Sequence, residues 1–136
     1  MNYCIKQEPP SAKKFSELRL KAGWGEINLK MAQQSINNSL FHVTAYSDSK
    51  VIGMARIIGD GVMYFYIQDV VIDPKFQRMG IGKALMEEIE KYLSKAAKKG
   101  ATIALLSAHG KEKFYTGFDY IERSGDPLGK AMCKFI

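Results

Sequence analysis

The sequence predicts an α/β fold (α+β) with a mixed, mostly antiparallel central sheet and helices on both faces. Three strand-like segments lie between residues 41 and 72, separated by the short turns Ser47–Ser49 and Gly59–Gly61. Strands joined by such short turns are antiparallel neighbours. The third segment, Met63–Ile72, is almost continuously apolar, as expected of a strand that is covered on both faces. A long helix and another strand follow it, and this strand–helix–strand unit makes the predicted sheet a mixed one.

The first half of the chain predicts a strand, two helices and then the three strands. Tyr3–Gln7 can form the first strand, and Pro9-Pro10 ends it. Ser11 is a suitable N-cap for a helix that runs through Leu20. A second, shorter helix is expected from about Leu29 to Ile36. The three strands are expected at Phe41–Ala45, Val51–Ile58 and Met63–Ile72.

The second half begins with the strongest helical pattern of the chain. Apolar residues recur at helical spacing from Ile81 to Ala96, and Gly100 is a natural stop after them. Beyond this helix we expect a strand at Ile103–Leu106, a short helix at Lys111–Tyr115, and closing strands at Tyr120–Glu122 and Met132–Ile136.

Composition limits the class of protein. The chain has 136 residues, of which 46% are hydrophobic and 25% charged, which predicts a single globular domain over residues 1–136. No apolar run approaches the ~20 residues that span a bilayer, and the start lacks the apolar stretch of a secretory signal. We therefore expect a cytoplasmic protein with no membrane partner. Cys4 and Cys133 have no metal-ligand spacing, so no metal is expected, and in a reducing compartment both should be free thiols.

The formal net charge is +6, which favours polyanionic partners. The lysines are scattered, however, and the sequence has neither a long basic tail nor an aromatic nucleic-acid signature. A small ligand rich in phosphate accounts for the charge equally well, and no nucleic-acid partner is expected.

A glycine-rich turn before the long helix carries the clearest chemical signal. It reads Gln77-Arg78-Met79-Gly80-Ile81-Gly82, between a buried strand and the helix. Backbone N–H groups at a helix start lack helical partners, and the helix dipole favours negative charge there. Arg78 and Lys83 can add charge-assisted contacts. The pattern is neither a Walker loop nor a dinucleotide-binding GxGxxG, and it predicts a phosphate site.

The spacing Gln-x-x-Gly-x-Gly closely resembles the pyrophosphate loop of the GCN5-related N-acetyltransferase (GNAT) superfamily. The flanking segments Gln68–Pro74 and Lys83–Met86 match as well. Lys113–Ile121 looks like the family's later Phe-Tyr-x-x-(Leu/Phe)-Gly-Phe segment, although Asp119 replaces the usual glycine and Tyr120 the phenylalanine. Aspartate tolerates a left-handed turn, so the fold should survive the first change. The resemblance is specific from about Val51 to Ile121. The family's frequent asparagine before the tyrosine is missing, with Ala108 and His109 in that neighbourhood.

The resemblance implies that acetyl-CoA is the cosubstrate, with no metal. The pantetheine arm would bond to the strand backbone, and an N–H near Val70 would polarise the thioester carbonyl. The matching strand positions are Val70, Val71 and Ile72. The pyrophosphate would lie on the turn, at Arg78, Met79, Gly80, Ile81, Gly82 and Lys83.

The resemblance also assigns catalytic residues. Tyr115 matches the general acid that protonates the departing thiolate, and its alternative role is to pack against the cofactor's edge. Glu26, Asp69 and His109 are the candidate bases. Asp69 lies on the central strand, where it could instead be a buried, paired carboxylate that fixes the strand.

The acceptor would bind among aromatic residues, which suit an amine on an apolar or aromatic body. The candidates for acceptor binding are Trp24, Glu26, Tyr64 and Tyr66, bordered by the loop Ser124–Gly129. Core packing is the alternative role for the three rings.

Three function classes remain open at this point. The first is an N-acetyltransferase that acts on a small-molecule amine by direct attack in a ternary complex. The second is a protein lysine or N-terminal acetyltransferase, and the third a non-catalytic acyl-CoA sensor. Tyr115 favours an enzyme, and the short chain favours small amines. The sequence leaves the oligomeric state open, with a homodimer among the alternatives.

Overall fold

The computed structural model describes residues 2–136 and contains a five-stranded sheet with strand order β1-β2-β3-β4-β5. The chain divides into two compact units, one that runs to Ala104 and one that covers Leu105–Ile136. The elements are β1 Cys4–Lys6, α1 Ala12–Lys21, α2 Leu29–Asn37, β2 Phe41–Ser47, β3 Lys50–Gly59, β4 Tyr64–Ile72, a 3₁₀ turn Pro74–Phe76, α3 Ile81–Ala96, β5 Thr102–Leu105 and α4 Glu112–Thr116.

The sheet confirms the predicted fold class. β1 pairs antiparallel with β2, β2 with β3, and β3 with β4. β5, which follows the α3 crossover, borders β4 at the end of the sheet. A single crossover after a run of hairpin-connected strands therefore gives the mostly antiparallel sheet that the turn spacing predicts.

Helices cover both faces of the sheet in the first unit, as two adjacent residues of β3 demonstrate. Met54 belongs to a buried cluster with residues of α1 and α2, including Phe15 and Ala32. A Cβ on the neighbouring Gly53 would instead meet Leu85 Cδ1 of α3 at 3.2 Å. Successive strand residues point to opposite faces. The helices α1 and α2 therefore pack on one face, and α3 packs on the other.

The elements of the first unit lie close to where the sequence predicts them. Ser11 is the N-cap of α1, and its hydroxyl accepts a hydrogen bond from the Lys14 N–H at 3.2 Å. The α3 helix covers the predicted range, and most other boundaries differ by one or two residues. The 3₁₀ turn at Pro74–Phe76 is an addition to the prediction. No helix among residues 2–136 is long and apolar enough to cross a membrane.

The prediction of two closing strands is wrong. Residues 117–136 form neither helix nor strand, and both Tyr120–Glu122 and Met132–Ile136 lie in this segment. Their apolar side chains are exposed, 77% for Ile121 and 91% for Phe135. A strand-like sequence forms a strand only where a neighbour completes its hydrogen-bond ladder, and none does so here.

Candidate active site

A β-bulge interrupts β4 in the middle of its pairing with β3. Met54 pairs with Val71 and Arg56 pairs with Gln68, so Asp69 and Val70 together oppose the single residue Ala55. Asp69 takes a left-handed backbone conformation, with φ at 57°. A bulge of this kind leaves one residue outside the ladder and bends the strand. The irregularity falls on the stretch where the sequence predicts the thioester.

Two arginines hold the carboxylate of Asp69. Arg56 of β3 donates from Nε to Oδ2 at 2.8 Å, and Arg19 of α1 donates from Nη1 to Oδ1. Arg56 also donates to the Ser35 carbonyl at 3.1 Å and to Ser39 Oγ at 2.9 Å. Asp69 itself is only 3% exposed. Because both carboxylate oxygens are engaged, the side chain fixes the bulge to α1 and β3.

A second buried aspartate follows the end of β4. Asp73 is 1% exposed, accepts from the Lys75 N–H at 3.0 Å, and pairs with Lys21 Nζ of α1 at 3.0 Å. Burial alone would raise the pKa of Asp73, but the Lys75 hydrogen bond and the Lys21 charge hold it below the ordinary value. Asp73 therefore fixes both the end of β4 and the 3₁₀ turn that leads to the glycine-rich segment.

The glycine-rich turn has an open and uncapped geometry. Arg78 and Gly80 both have positive φ angles, 63° and 82°. Gly80 is the N-cap of α3, and no side chain caps the helix. A Cβ at Gly80 would meet no atom within 4 Å, so the space in front of the turn is free. The residues of this segment thus fit a pyrophosphate group, with exposed backbone N–H groups and a cation on each side.

Trp24 is the acceptor candidate that Arg19 links to Asp69 of the bulge. It lies in the loop after α1, is 38% exposed, and its ring centroid lies 5.3 Å from Arg19 Cζ. Glu26 is exposed in the same loop. Tyr64, 59% exposed, lies at the opposite end of β4, roughly 16 Å along the strand from Asp69. Tyr66 is half-buried between them. Two of the four predicted acceptor residues, Trp24 and Glu26, therefore lie in the loop after α1, and the other two lie on β4.

The second unit contains the candidate acid. Tyr115 lies in α4, is 8% exposed, and meets the Phe114 ring edge-on at 5.0 Å. Burial raises the pKa of Tyr115 to about 12. Asp119 has φ at 70°, which confirms that aspartate takes the left-handed position where the family has glycine. His109 is exposed.

These features agree with comparisons to known proteins. Residues 11–136 match the sequence profile of the family described as Acetyltransferase (GNAT) domain. The chain belongs to the GNAT acetyltransferase family. The predicted resemblance is thereby confirmed.

Individual relatives agree with this membership. GCN5-related N-acetyltransferase 1, chloroplastic, of Arabidopsis thaliana is 36% identical over 99 residues, which cover 73% of this chain and 48% of that protein. The uncharacterised N-acetyltransferase ycf52 of Pyropia yezoensis is 31% identical over 111 residues, covering 79% and 61%. The crystal structure of SA2161 from meticillin-resistant Staphylococcus aureus, named as a probable acetyltransferase, is 27% identical with a TM-score of 0.90, covering 98% and 100%. The chain spans about half the length of the curated relatives it matches.

Sequence reasoning missed the two arginines of the site. Arg56 carries the one charged side chain in the otherwise apolar stretch Val51–Ile58, and a charge there requires a buried partner. That signal could have paired it with Asp69, the one charged residue of β4. Arg19 offered no such signal, because a basic residue near a helix C-terminus usually faces solvent.

Proposed function

We propose that this GNAT family protein is an acetyl-CoA-dependent N-acetyltransferase that acetylates the primary amine of a small molecule by direct attack in a ternary complex. The observation that carries the proposal is the continuous unit formed by the β4 bulge, the 3₁₀ turn and the uncapped start of α3. In this unit one stretch of backbone offers N–H groups to a thioester and, a few residues later, to a pyrophosphate.

The turn supplies the anion site of this proposal. The N–H groups of residues 78–83 would bind the pyrophosphate, with Arg78 and Lys83 adding charge. Both side chains belong to exposed residues, so they can reach a ligand in solvent. Gly80 leaves room in front of the helix start.

The bulge supplies the polarising group. Because Asp69 and Val70 share one partner residue across the ladder, a backbone N–H at this point can turn toward a substrate oxygen. That N–H would stabilise the negative charge that develops on the thioester carbonyl as the amine attacks. Val71 and Ile72 continue the strand along which the pantetheine arm would lie.

Tyr115 is proposed as the donor to the leaving sulfur. The C–N bond forms and the C–S bond breaks, the amine loses a proton to a base through water, and the thiolate leaves as the anion and takes its proton from solvent. With its pKa raised to about 12, the phenol stays protonated at neutral pH. Since a thiol has a pKa of about 8.5, complete transfer from such a phenol is unfavourable, and a hydrogen bond to the developing thiolate is the larger part of its role.

Asp69 is proposed as a positioning group and not as the base. Its two oxygens already accept from Arg19 and Arg56, so taking a proton from the amine would break a buried ion pair. Glu26 and His109 remain as the other candidate bases, and both are exposed. Water can carry the proton to either one.

An acceptor screen tests the proposed function. The protein would be incubated with acetyl-CoA and tyramine, spermidine, a lysine-containing peptide or a peptide with a free N-terminus, while the release of free thiol is followed. Turnover with a small amine supports the proposal, and turnover with a peptide alone would replace the small acceptor by a protein. Calorimetric binding of acetyl-CoA without turnover on any amine would favour the sensor. The expected cytoplasmic location stays a prediction, since the Arabidopsis relative is chloroplastic.

A further inference from the structure

The helix α1 forms one ion pair with the bulge in β4 and another with the residue that follows the end of β4. Arg19 pairs with Asp69, and Lys21 pairs with Asp73. Both aspartates are almost fully buried, at 3% and 1% exposure. The residues between them, Val70–Ile72, are the ones expected to carry the thioester end of acetyl-CoA.

The same helix leads directly into the loop that contains Trp24. The Trp24 N–H donates to the Arg19 carbonyl at 3.0 Å, and the Arg19 guanidinium lies over the Trp24 ring. Gly23 and Gly25, on each side of Trp24, have φ angles of 83° and 80°. Ala22 and Ile27 pack against the core cluster on the two sides of this segment, so the backbone bond and the ring contact to Arg19 are what hold Trp24 between them.

We infer that Arg19 and Lys21 are positioning residues that hold the Trp24 loop in register with the Val70–Ile72 strand, so that the acceptor meets the thioester at a fixed distance. The inference rests on the proposed function, in which the loop borders the acceptor and the strand binds acetyl-CoA. Neither residue needs to contact a substrate. Their effect passes through Asp69, Asp73 and the end of α1.

The geometry distinguishes this role from simple stabilisation of α1. Phe15 and Leu18 already bury the apolar side of α1 in a core cluster, which attaches the helix to the sheet by packing alone. Ion pairs are directional, and two of them define the position of the helix along the strand. A displacement of about 1 Å between reacting groups can cost ~10²-fold in rate, so this register matters for transfer.

The test compares three methionine substitutions on one helix. Arg19→Met and Lys21→Met each remove one connection to β4, while Lys14→Met removes an exposed pair with Glu17 and is the matched control. Trp24 is the sole tryptophan of the sequence, so acrylamide quenching of its fluorescence reports on the loop with no ligand present. Transfer is measured as kcat/KM for tyramine and acetyl-CoA binding by calorimetry. Arg19→Lys tests rescue by a residue that keeps the charge.

We expect Arg19→Met to increase the quenching of Trp24 and to lower kcat/KM for tyramine by about tenfold or more, with acetyl-CoA affinity little changed. Lys21→Met should change both in the same direction by less, since Lys50 also reaches Asp73 at 3.9 Å. Arg19→Lys should recover part of the transfer. Lys14→Met should match the wild type. If Arg19→Met does not fold, the quenching and kcat/KM of Lys21→Met and Arg19→Lys test the inference instead.

Several outcomes would overturn the inference. Quenching equal to that of Lys14→Met in both variants shows that the loop is not held by these pairs. Increased quenching with unchanged transfer shows that the loop's position is irrelevant to the reaction. A lower melting temperature with unchanged kcat/KM shows a structural role alone. If the wild type binds no acetyl-CoA, the proposed function fails, and the quenching comparison still decides whether the pairs hold the loop.

Discussion

Arg56 Nε and Asp69 Oδ2 form a 2.8 Å buried ion pair across the one irregular step of the β3–β4 ladder. The two side chains are 8% and 1% exposed. Burial of alternate side chains already opposes a one-residue shift of this strand. The charge pair gives the irregular register a single favourable position.

Asp69→Asn should therefore destabilise the fold strongly. It leaves Arg19 and Arg56 without a counter-charge in a buried site, which we expect to lower the free energy of unfolding by about 3–5 kcal/mol. Asp48→Asn is the matched control, since Asp48 also has a positive φ, 49°, and belongs to an exposed turn. Asparagine suits a left-handed position in both cases, so the difference measures the charge pairing. Equal urea midpoints for the two variants would contradict this account.

Gly80→Glu should abolish acetyl-CoA binding in a folded protein. The new side chain enters the open space before α3 and places a negative charge where the pyrophosphate is expected. Gly100→Glu is the control, because Gly100 also has a positive φ, 101°, and nothing within 4 Å of a Cβ. Both variants carry the same kind of backbone strain. Calorimetry that finds equal affinity in the two would remove the turn from the binding site.

Tyr115→Phe should lower kcat while leaving acetyl-CoA affinity nearly unchanged. The substitution keeps the ring and removes the hydrogen-bond donor to the leaving sulfur, so the loss should reach ~10²–10³-fold if the hydroxyl acts in the transition state alone. Tyr3→Phe is the control, because Tyr3 is exposed and lies next to β1. An unchanged kcat with a raised KM for acetyl-CoA would make Tyr115 a binding residue.

The raised pKa of Tyr115 also predicts a difference in stability at alkaline pH. The folded pKa is about 12 against an ordinary value of 10.0, because burial favours the neutral phenol. The resulting stabilisation is fully present below pH 10 and is lost as the pH rises toward 12. Urea unfolding at pH 9 and pH 11 should therefore show a smaller loss in Tyr115→Phe than in the wild type. Identical losses would mean that the phenol is no more buried than in the unfolded chain.

Cys4 and Cys133 should play no part in catalysis. Both thiols are exposed, and direct attack by the amine needs no acyl-cysteine. Alkylation of both with iodoacetamide should leave kcat unchanged. Rapid-quench detection of an enzyme-bound acetyl group that a Cys→Ala change removes would establish the opposite mechanism.

The sequence predicted most of the first unit because its signals are local. The Ser11 cap, the hairpin turns and the helical spacing of α3 each depend on a few neighbouring residues. The end of the chain was mispredicted because Met132–Ile136 has strand-like composition but no ladder partner in the structure. Whether such a segment pairs is decided by other parts of the molecule.

The site, like the fold, was predictable from the sequence where its signals are local. The glycine turn at Gly80 could be read from spacing, and the left-handed Asp119 from the departure at that position. The two arginine partners of Asp69 lie 13 and 50 residues away along the chain, so their meeting depends on the completed fold. Spacing alone could place a charge on β4, but it could not say which cations neutralise it.

The burial of the Arg56–Asp69 pair has a consequence for how the protein responds to its ionic surroundings. Dissolved ions screen exposed charges over a Debye length of about 8–10 Å at moderate ionic strength, but they cannot enter a site from which water is excluded. Dissolved ions reach Arg78 and Lys83, which are exposed residues, whereas the Arg56 and Asp69 side chains are only 8% and 1% exposed. Added potassium chloride should thus weaken acetyl-CoA binding while the register of β4 stays intact. Ionic strength is therefore a reversible way to separate ligand loading from folding in the same molecule.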